Sequence, residues 1–279
     1  MKPLLVWYWR GHEATVNFGE HFCELLLTAF GYKIVAWEAE RRAKRLGQHP
    51  ACLMVVGSEF RRRLVNELLA SVPEVHIWGQ GNGRGPRVAV DMTRSPYRER
   101  VKIFALRGPL TKQWSHVTQD IPLCDPGFLL PRFYPLTPTG TGGVLYVPHC
   151  ANRANAATRL ASLGADRWVD VMFRREQLQD VMRDLAAASF VLTNTLHTFI
   201  FCLAYRIPCA VSLVDGEALN MPDKWKDVFL SMNAPDAFQP VTNVAAGRDW
   251  WEQTGQHLQL PATEPLLAAF PYPILKGGG

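Results

Sequence analysis

Short apolar runs alternate with amphipathic segments along most of the chain. The runs are rich in Val, Ile and Leu, which predicts buried strands, and the segments between them space their apolar residues at helical intervals. The predicted strands begin at Lys2, Lys33, Ala51, Glu74, Lys102, Ile121, Val144, Arg167, Phe190 and Cys209. Strands that alternate with helices are typical of parallel sheets covered on both faces, so the pattern predicts an α/β protein.

One segment interrupts the alternation. Residues 132–143, RFYPLTPTGTGG, are rich in Pro, Thr and Gly, a composition typical of an interdomain linker. We therefore expect an N-terminal Rossmann-like domain over residues 1–131 and a C-terminal Rossmann-like domain, with a less regular tail, over residues 144–279. Two such domains facing a cleft are the simplest architecture for this pattern.

The segment Phe190–Leu213 places polar residues where a ligand would bind. It predicts a buried strand, a polar turn, an apolar helix that begins at Phe199, and a second buried strand. In open α/β sheets, ligands bind outside the carboxyl ends of the strands, beside helix N-termini that favour anions. The turn therefore supplies three candidate site residues, Asn194, Thr195 and His197. The alternative is that His197 has only a structural role.

The charge of the chain is uneven. Residues 1–135 carry 19 Lys and Arg against 12 Asp and Glu, a net charge of +7, whereas the remainder carries 11 against 13, a net charge of −2. Such an excess is often only a solvated face, but it also suits a phosphate-bearing substrate or an anionic membrane surface. No interleaved aromatic platform accompanies it, so we expect no nucleic-acid partner.

Cysteine usage and the first residues indicate the compartment. Six cysteines are scattered without a CxxC pair, which favours reduced thiols over disulfides or a zinc site, and no group of side chains demands a metal. The apolar run from Lys2 to Trp9 is too short for a membrane span and lacks a cleavage pattern. These features predict a cytoplasmic protein.

A series of motifs, in order over about 215 residues, resembles the polysaccharide pyruvyltransferases, with the bacterial exopolysaccharide ketal pyruvyltransferases of the xanthan and succinoglycan kind as the nearest relatives. The motifs are NFGEHF (Asn17–Phe22), WGQGNGRG (Trp78–Gly85), LRGPLT (Leu106–Thr111), LCDPGFLLP (Leu123–Pro131), YVPHC (Tyr146–Cys150), TNTLHTFIFCLAYRIPCA (Thr193–Ala210) and KWKDVFLSM (Lys224–Met232). The resemblance implies two domains similar to the glycosyltransferase-B architecture. It also implies that phosphoenolpyruvate, bound by the C-terminal domain, donates a pyruvate ketal to a sugar diol bound by the N-terminal domain, with no separate cofactor.

One position departs from the family pattern. Many members carry Arg two residues before the histidine, where it helps to hold phosphoenolpyruvate, and here that position is Thr195. Either other residues bind the anion, or the donor is different.

Cationic side chains are the expected partners of phosphoenolpyruvate, since its phosphate and carboxylate need Arg or Lys forks and helix N-termini. Arg107 precedes Gly-Pro at a predicted helix start, and its alternative role is an interdomain salt bridge. Arg84 and Arg153 are further candidates.

Ketal formation requires a proton on the methylene carbon, which favours His197 as general acid because imidazole titrates near neutral pH and a bound phosphate would keep it charged. His149, after a strand of the same sheet, is expected to bind phosphate or assist proton transfer, or else to bond the backbone. Glu20 is the candidate base for the sugar hydroxyl, with a helix cap as its alternative role. Asn17 and Gly19 are expected to shape that loop, and Asp125 to form a turn before proline.

Tryptophans and the tail suggest contacts with sugars or lipids. Trp78, Trp225 and the pair Trp250 and Trp251 either stack on sugar rings or lie in the core. With the apolar tail Leu266–Leu275 and the basic first half, the pair motivates the hypothesis of peripheral attachment to a membrane that carries a lipid-linked oligosaccharide acceptor.

Two other functional classes fit the same pattern. A nucleotide-sugar glycosyltransferase would share the two-domain cleft but would bind a nucleoside diphosphate. A non-catalytic saccharide-binding protein would bind glycan and release no phosphate.

Overall fold

A computed structural model describes residues 1–9, 15–213 and 221–275 of the chain; the first loop, at residues 10–14, the segment 214–220 and the end of the tail lie outside the described residues. The N-terminal half contributes β1 (Lys2–Trp7), β3 (Tyr32–Ala36), β4 (Ala51–Met54), β5 (Glu74–Gln80) and β6 (Val101–Leu106), numbered in chain order. They form a parallel sheet in the order β3-β1-β4-β5-β6. Its helices are α1 (Phe18–Ala29), α2 (Trp37–Arg42), α3 (Arg62–Leu69), α4 (Tyr97–Arg100), α5 (Pro109–Trp114) and α6 (Leu130–Phe133).

A second parallel sheet lies in the C-terminal half. Its strands are β7 (Val144–Val147), β8 (Arg167–Trp168), β10 (Phe190–Thr193) and β11 (Cys209–Val211), in the order β11-β10-β7-β8. The helices are α7 (Ala156–Leu163), α8 (Leu178–Ala187), α9 (Leu196–Ala204), α10 (Pro222–Ser231), α11 (Val244–Gln253) and α12 (Glu264–Ala268). The predicted α/β class with two Rossmann-like parallel sheets is confirmed.

The two halves share a small sheet and a core. Strands β2 (Val16–Asn17) and β9 (Met172–Phe173) pair antiparallel, one from each half. Beside them, one hydrophobic cluster runs without interruption from the helix α1 side of the first sheet into the second. Because apolar surface is buried between the halves, they form one packed body.

Two local predictions were wrong. Residues 121–125 form no strand; a single bridge, Leu106 with Leu123, is all that joins them to β6, because Pro122 and Pro126 remove backbone donors. Helix α9 begins at Leu196 rather than Phe199, so the predicted polar turn is shorter and its histidine lies in the first helical turn.

The domain boundaries at residues 131 and 144 stay a prediction. The structure adds that α6 reaches Phe133, inside the predicted linker, and that residues 134–143 form neither helix nor strand.

The C-terminal segment returns to the first sheet. The Trp78 indole N–H donates to the Leu266 carbonyl at 2.8 Å, and the Tyr32 hydroxyl donates to the Pro273 carbonyl at 2.6 Å. The Phe270 ring packs edge-on against Trp78, with 5.0 Å between ring centroids. The tail that the sequence assigned to the C-terminal domain therefore completes the core of the N-terminal one.

This packing removes much of the apolar surface on which the membrane hypothesis was based. Trp250 and Leu266 are buried, so they cannot meet a lipid without leaving the core. Of the large apolar side chains in this segment, those of Ile274 and Leu275 are exposed. Within the described part of the chain, no helix combines the length and the apolarity needed to cross a bilayer.

A buried ion pair holds α10 against the first domain. Asp227 on α10 accepts hydrogen bonds from the backbone N–H groups of Leu110 (2.9 Å) and Thr111 (3.2 Å), so it caps helix α5. Its other oxygen lies 3.4 Å from Nε of Arg107, and both side chains are fully buried. Gly108 permits this contact, because a β-carbon there would lie 2.1 Å from the Asp227 carbonyl oxygen.

Replacing Asp227 by Ala is expected to lower the free energy of unfolding by about 3–5 kcal/mol, because the guanidinium of Arg107 would remain buried without its counter-charge. Urea denaturation measures the loss. Lys226→Ala, an exposed change on the same helix, is the control and is expected to stay within about 0.5 kcal/mol of the wild type. Equal losses in the two variants would contradict the role given to this pair.

Candidate functional site

A cavity of about 300 Å³ lies where the two halves of the chain meet. Side chains from both halves line it, which places it between the carboxyl ends of the two sheets. Seven of the ten predicted site residues line the cavity: Asn17, Gly19, Glu20, Arg84, His149, Thr195 and His197.

Two helix N-termini meet at this cavity. Helix α1 begins after Asn17, whose side-chain oxygen accepts from the backbone N–H groups of Gly19 (3.0 Å) and Glu20 (3.3 Å). Helix α9 approaches so closely that a β-carbon on Gly19 would lie 2.2 Å from Nδ1 of His197. Gly19 is therefore required for close approach of the two halves rather than for an unusual backbone angle.

The first turn of α9 resembles an anion site. Its N-cap, Thr195, makes no capping hydrogen bond, since its hydroxyl pairs with that of Thr193 at 3.1 Å. The first-turn residues Leu196, His197 and Thr198 line the cavity. Because uncapped N–H groups and the helix dipole favour negative charge, this turn offers an alternative to the arginine that Thr195 replaces.

His197 is uncharged in the free site. Burial, together with the charges of the nearby cations Arg107 and Lys224, lowers the pKa of its imidazole to about 3. The sequence-based prediction of a charged general acid therefore does not describe the unliganded protein. A bound phosphate would raise this pKa again, since an anion favours the imidazolium.

Glu20 is protonated where it was expected to be a base. Burial raises the pKa of its carboxyl to about 8; the hydrogen bond from the Trp9 N–H and the charge of Arg107 oppose the rise, and Glu59 and Asp125 add to it. At neutral pH the group carries a proton that it can donate. In the empty cavity both groups are therefore neutral, whereas the sequence-based roles assumed an ionised Glu20 and a charged His197.

Lys224 and Trp9 are among the cavity residues that the sequence reasoning did not identify. Lys224 lies on α10 and is buried, with its amino group 6.0 Å from the centre of the Trp225 ring. Trp9 is 41% exposed at the cavity wall, just beyond strand β1. A sequence signal for Lys224 was available, because the apolar residue Val228 lies one helical turn on and predicts that this face of the helix points inward.

Three predicted site residues lie outside the cavity. Arg107 is fully buried and donates to the Ser58 hydroxyl at 2.6 Å and the Gly57 carbonyl at 3.2 Å, in addition to its pair with Asp227. It is an interdomain structural residue, the alternative that the sequence left open.

The other two are Arg153 and Asn194. Arg153 is exposed and pairs with Asp170 at 3.6 Å. Asn194 is buried, and its side-chain oxygen accepts from the backbone N–H of His149, so it positions the loop after β7 instead of contacting a ligand in the cavity.

His149 and Cys150 line the cavity from that loop. Nδ1 of His149 accepts from the Ala151 N–H at 3.3 Å, and the Cys150 sulfur lies 3.8 Å from Nε2. In the described part of the chain, no group of three or more His, Cys, Asp or Glu residues is arranged to hold a metal ion.

A family model described as polysaccharide pyruvyl transferase matches residues 40–215, well over half of the chain. The chain belongs to the polysaccharide pyruvyl transferase family. It is therefore a transferase of the class that places pyruvyl groups on polysaccharide, and its acceptor is a saccharide. The matched residues include β4 to β6, β7 to β11 and helix α9 of the site.

Two further comparisons add little to this. A search of curated proteins finds no match. Among solved structures, E. coli ADP-heptose lps heptosyltransferase II is 11% identical, with 76% of this chain and 84% of that chain covered and a TM-score of 0.33. A likeness at that score carries no argument about activity.

Replacing Gly19 by Ala is expected to destabilise the protein by about 1–3 kcal/mol and to reduce activity, because the new methyl group would overlap the His197 ring. Gly47→Ala is the matched control, since nothing lies within 4 Å of a β-carbon there. Thermal unfolding measures both variants. A Gly19→Ala protein as stable and active as the control would show that the two helices do not meet as described.

The stability of Glu20→Gln relative to the wild type is expected to rise with pH. The Glu20 pKa is about 8 in the folded chain against 4.5 ordinarily, so its stabilising contribution is complete below about pH 4.5 and is lost as pH rises through about 8. Gln does not titrate. The free energy of unfolding of Glu20→Gln minus that of the wild type should therefore increase by about 1–3 kcal/mol between about pH 5 and about pH 9.

Urea unfolding at both pH values measures this difference, with exposed Glu252→Gln as control. A difference that is independent of pH would mean that Glu20 ionises normally in the folded chain.

Proposed function

We propose that this protein is a ketal pyruvyltransferase that uses phosphoenolpyruvate as donor and attaches pyruvate to two hydroxyls of one sugar in a bacterial exopolysaccharide or its lipid-linked precursor. The observation that carries the proposal is that the uncapped N-terminus of helix α9 shares one cavity with a neutral acid, Glu20, and a neutral base, His197, in a member of this family. Anion binding and proton transfer are the two requirements of this chemistry.

The donor is placed at helix α9. The N–H groups of its first turn and the ammonium of Lys224 supply positive potential for the phosphate and carboxylate, with Arg84 at the exposed edge of the cavity. Lys224 and this turn together compensate for Thr195 in the place of the family arginine.

The acceptor is placed on the opposite wall, at Trp9 and Glu20. The exposed indole of Trp9 offers a flat apolar face of the kind on which sugar rings stack. This position leaves a sugar hydroxyl between the donor and the two titratable groups.

In the proposed sequence of proton transfers, each of the two groups gives and takes one proton. Glu20 protonates the methylene carbon, the first hydroxyl attacks the central carbon, and His197 accepts the hydroxyl proton. The carbon–oxygen bond to phosphate then breaks, and phosphate leaves with the proton from His197. The second hydroxyl closes the ketal and returns its proton to Glu20, so both groups end as they began.

Phosphate release from phosphoenolpyruvate, measured with glycosides that end in mannose, galactose or glucose, tests the proposal. Release should require the right glycoside and should fall about 10²- to 10⁴-fold in His197→Ala. Lys224→Met should raise the KM for phosphoenolpyruvate, whereas Trp9→Ala should raise the KM for the glycoside alone. Arg153→Ala, a cation outside the cavity, is the matched control and should leave both constants unchanged.

The other outcomes identify other functions. Consumption of a nucleotide sugar without phosphate release from phosphoenolpyruvate would identify a glycosyltransferase, and glycan binding without any turnover would identify a saccharide-binding protein. The cytoplasmic location, the lipid linkage of the acceptor and peripheral membrane contact stay predictions; flotation with anionic vesicles that leaves the protein unbound would remove the last.

A further inference from the structure

Asp125 is a fully buried carboxylate whose second oxygen has no hydrogen-bond partner among the described residues. Its Oδ1 accepts from the Gly127 N–H at 2.9 Å, which forms the turn expected for Asp before proline. The turn uses only one of the two carboxylate oxygens. Burying the other without a hydrogen bond lowers the stability of the fold, so its position calls for an explanation. Oδ2 points toward the cavity wall, where Nε2 of His197 lies 3.8 Å away.

The imidazole of His197 shows the complementary pattern. Nε2 is also buried without a hydrogen bond, so it is closed to substrate. Nδ1 lies over Gly19, which lines the cavity together with His197 itself. Of the two ring nitrogens, Nδ1 is thus the one that can meet a ligand.

Resting on the proposed function, we infer that Asp125 is a positioning residue for His197: its Oδ2 keeps the imidazole proton on Nε2 and leaves Nδ1 as the acceptor of the sugar hydroxyl proton. When Nδ1 takes the hydroxyl proton, the Asp125 carboxylate stabilises the resulting imidazolium. This lasts until the departing phosphate takes the proton from His197. At 3.8 Å the contact is longer than a hydrogen bond, as is often the case for catalytic hydrogen bonds before substrate binds.

The charged surroundings fit this arrangement. The groups that face His197 are Asp125 after β6, Glu20 on α1, Arg107 at the end of β6 and Lys224 on α10. Burial raises the pKa of Asp125 to about 6, while the charge of Arg107 lowers it, so the carboxylate is ionised at neutral pH. Asp125 is then the one buried anion in direct reach of the His197 ring among the described residues.

Asp125→Asn is a sharp test, because the hydrogen bond of the turn fixes the orientation of the new side-chain amide. The Gly127 N–H holds an oxygen, so the amide nitrogen must face Nε2 of His197. That nitrogen is a donor, which forces Nε2 to be an acceptor and moves the ring proton to Nδ1. The variant keeps the shape and the turn but blocks the base.

Nitrogen NMR of protein labelled at histidine reports which ring nitrogen carries the proton, with His197→Gln identifying the signal. We expect the proton on Nε2 in the wild type and on Nδ1 in Asp125→Asn. The kcat for phosphate release should fall about 10²- to 10⁴-fold in the variant with the KM for phosphoenolpyruvate unchanged, whereas exposed Asp120→Asn should change neither.

A wild-type proton on Nδ1, or the same tautomer in both proteins, would overturn the inference. The NMR result does not depend on turnover. If the wild type transfers no pyruvyl group to any acceptor while the proton still moves in the variant, the proposed function fails and the pairing of Asp125 with His197 stands.

Discussion

The close approach of helices α1 and α9 is the constraint on which the site depends. With no side chain at Gly19, the imidazole of His197 rests on the backbone of the other domain, and the two helix N-termini open into one small cavity. The same burial withdraws solvent from both titratable groups and shifts the pKa of each toward its neutral form, upward for Glu20 and downward for His197. Because Glu20 and His197 are both neutral in the empty cavity, neither of them adds a negative charge that would oppose a substrate carrying phosphate and carboxylate.

The two halves of the chain are also held together by groups that take no part in the proposed chemistry. Arg107 has the side chain that an anion site would want, yet its guanidinium is occupied by Gly57, Ser58 and Asp227 inside the protein. Its charge still reaches the cavity, where it lowers the pKa of His197 and opposes the rise at Glu20. A cation can therefore tune a site without touching what binds there, since Coulomb interactions act over several ångströms in a poorly solvated interior.

The fold was largely predictable from sequence, because strands buried on both faces are nearly continuous apolar runs and helices show their own spacing. The strand Phe190–Thr193 was located at its true ends, and the histidine after it was correctly placed at a sheet edge. The segment after Ile121 misled because its apolar character is that of a buried turn, in which prolines replace ladder hydrogen bonds.

Most of the candidate site residues could be predicted from sequence, but their protonation states could not. Composition and spacing indicated Glu20 and His197, but their protonation depends on desolvation and on neighbours from distant parts of the chain, which only the folded structure defines. The two roles left open for Arg107 could not be separated for the same reason, because its partner Asp227 lies more than a hundred residues away in sequence. Lys224 was within reach of a helical-face argument, whereas nothing near Trp9 distinguishes an indole at a cavity from one in a core.

The return of the C-terminal segment to the first sheet bears on how the chain folds as it is synthesised. Trp78, Phe30 and Tyr32 belong to the first domain, but their partners Leu266, Phe270 and Pro273 leave the ribosome only after the second sheet has been translated. Until then a large aromatic surface of the first domain stays open to solvent and to other chains. The first sheet is therefore translated before the second, but its core is completed only after the second sheet has been translated.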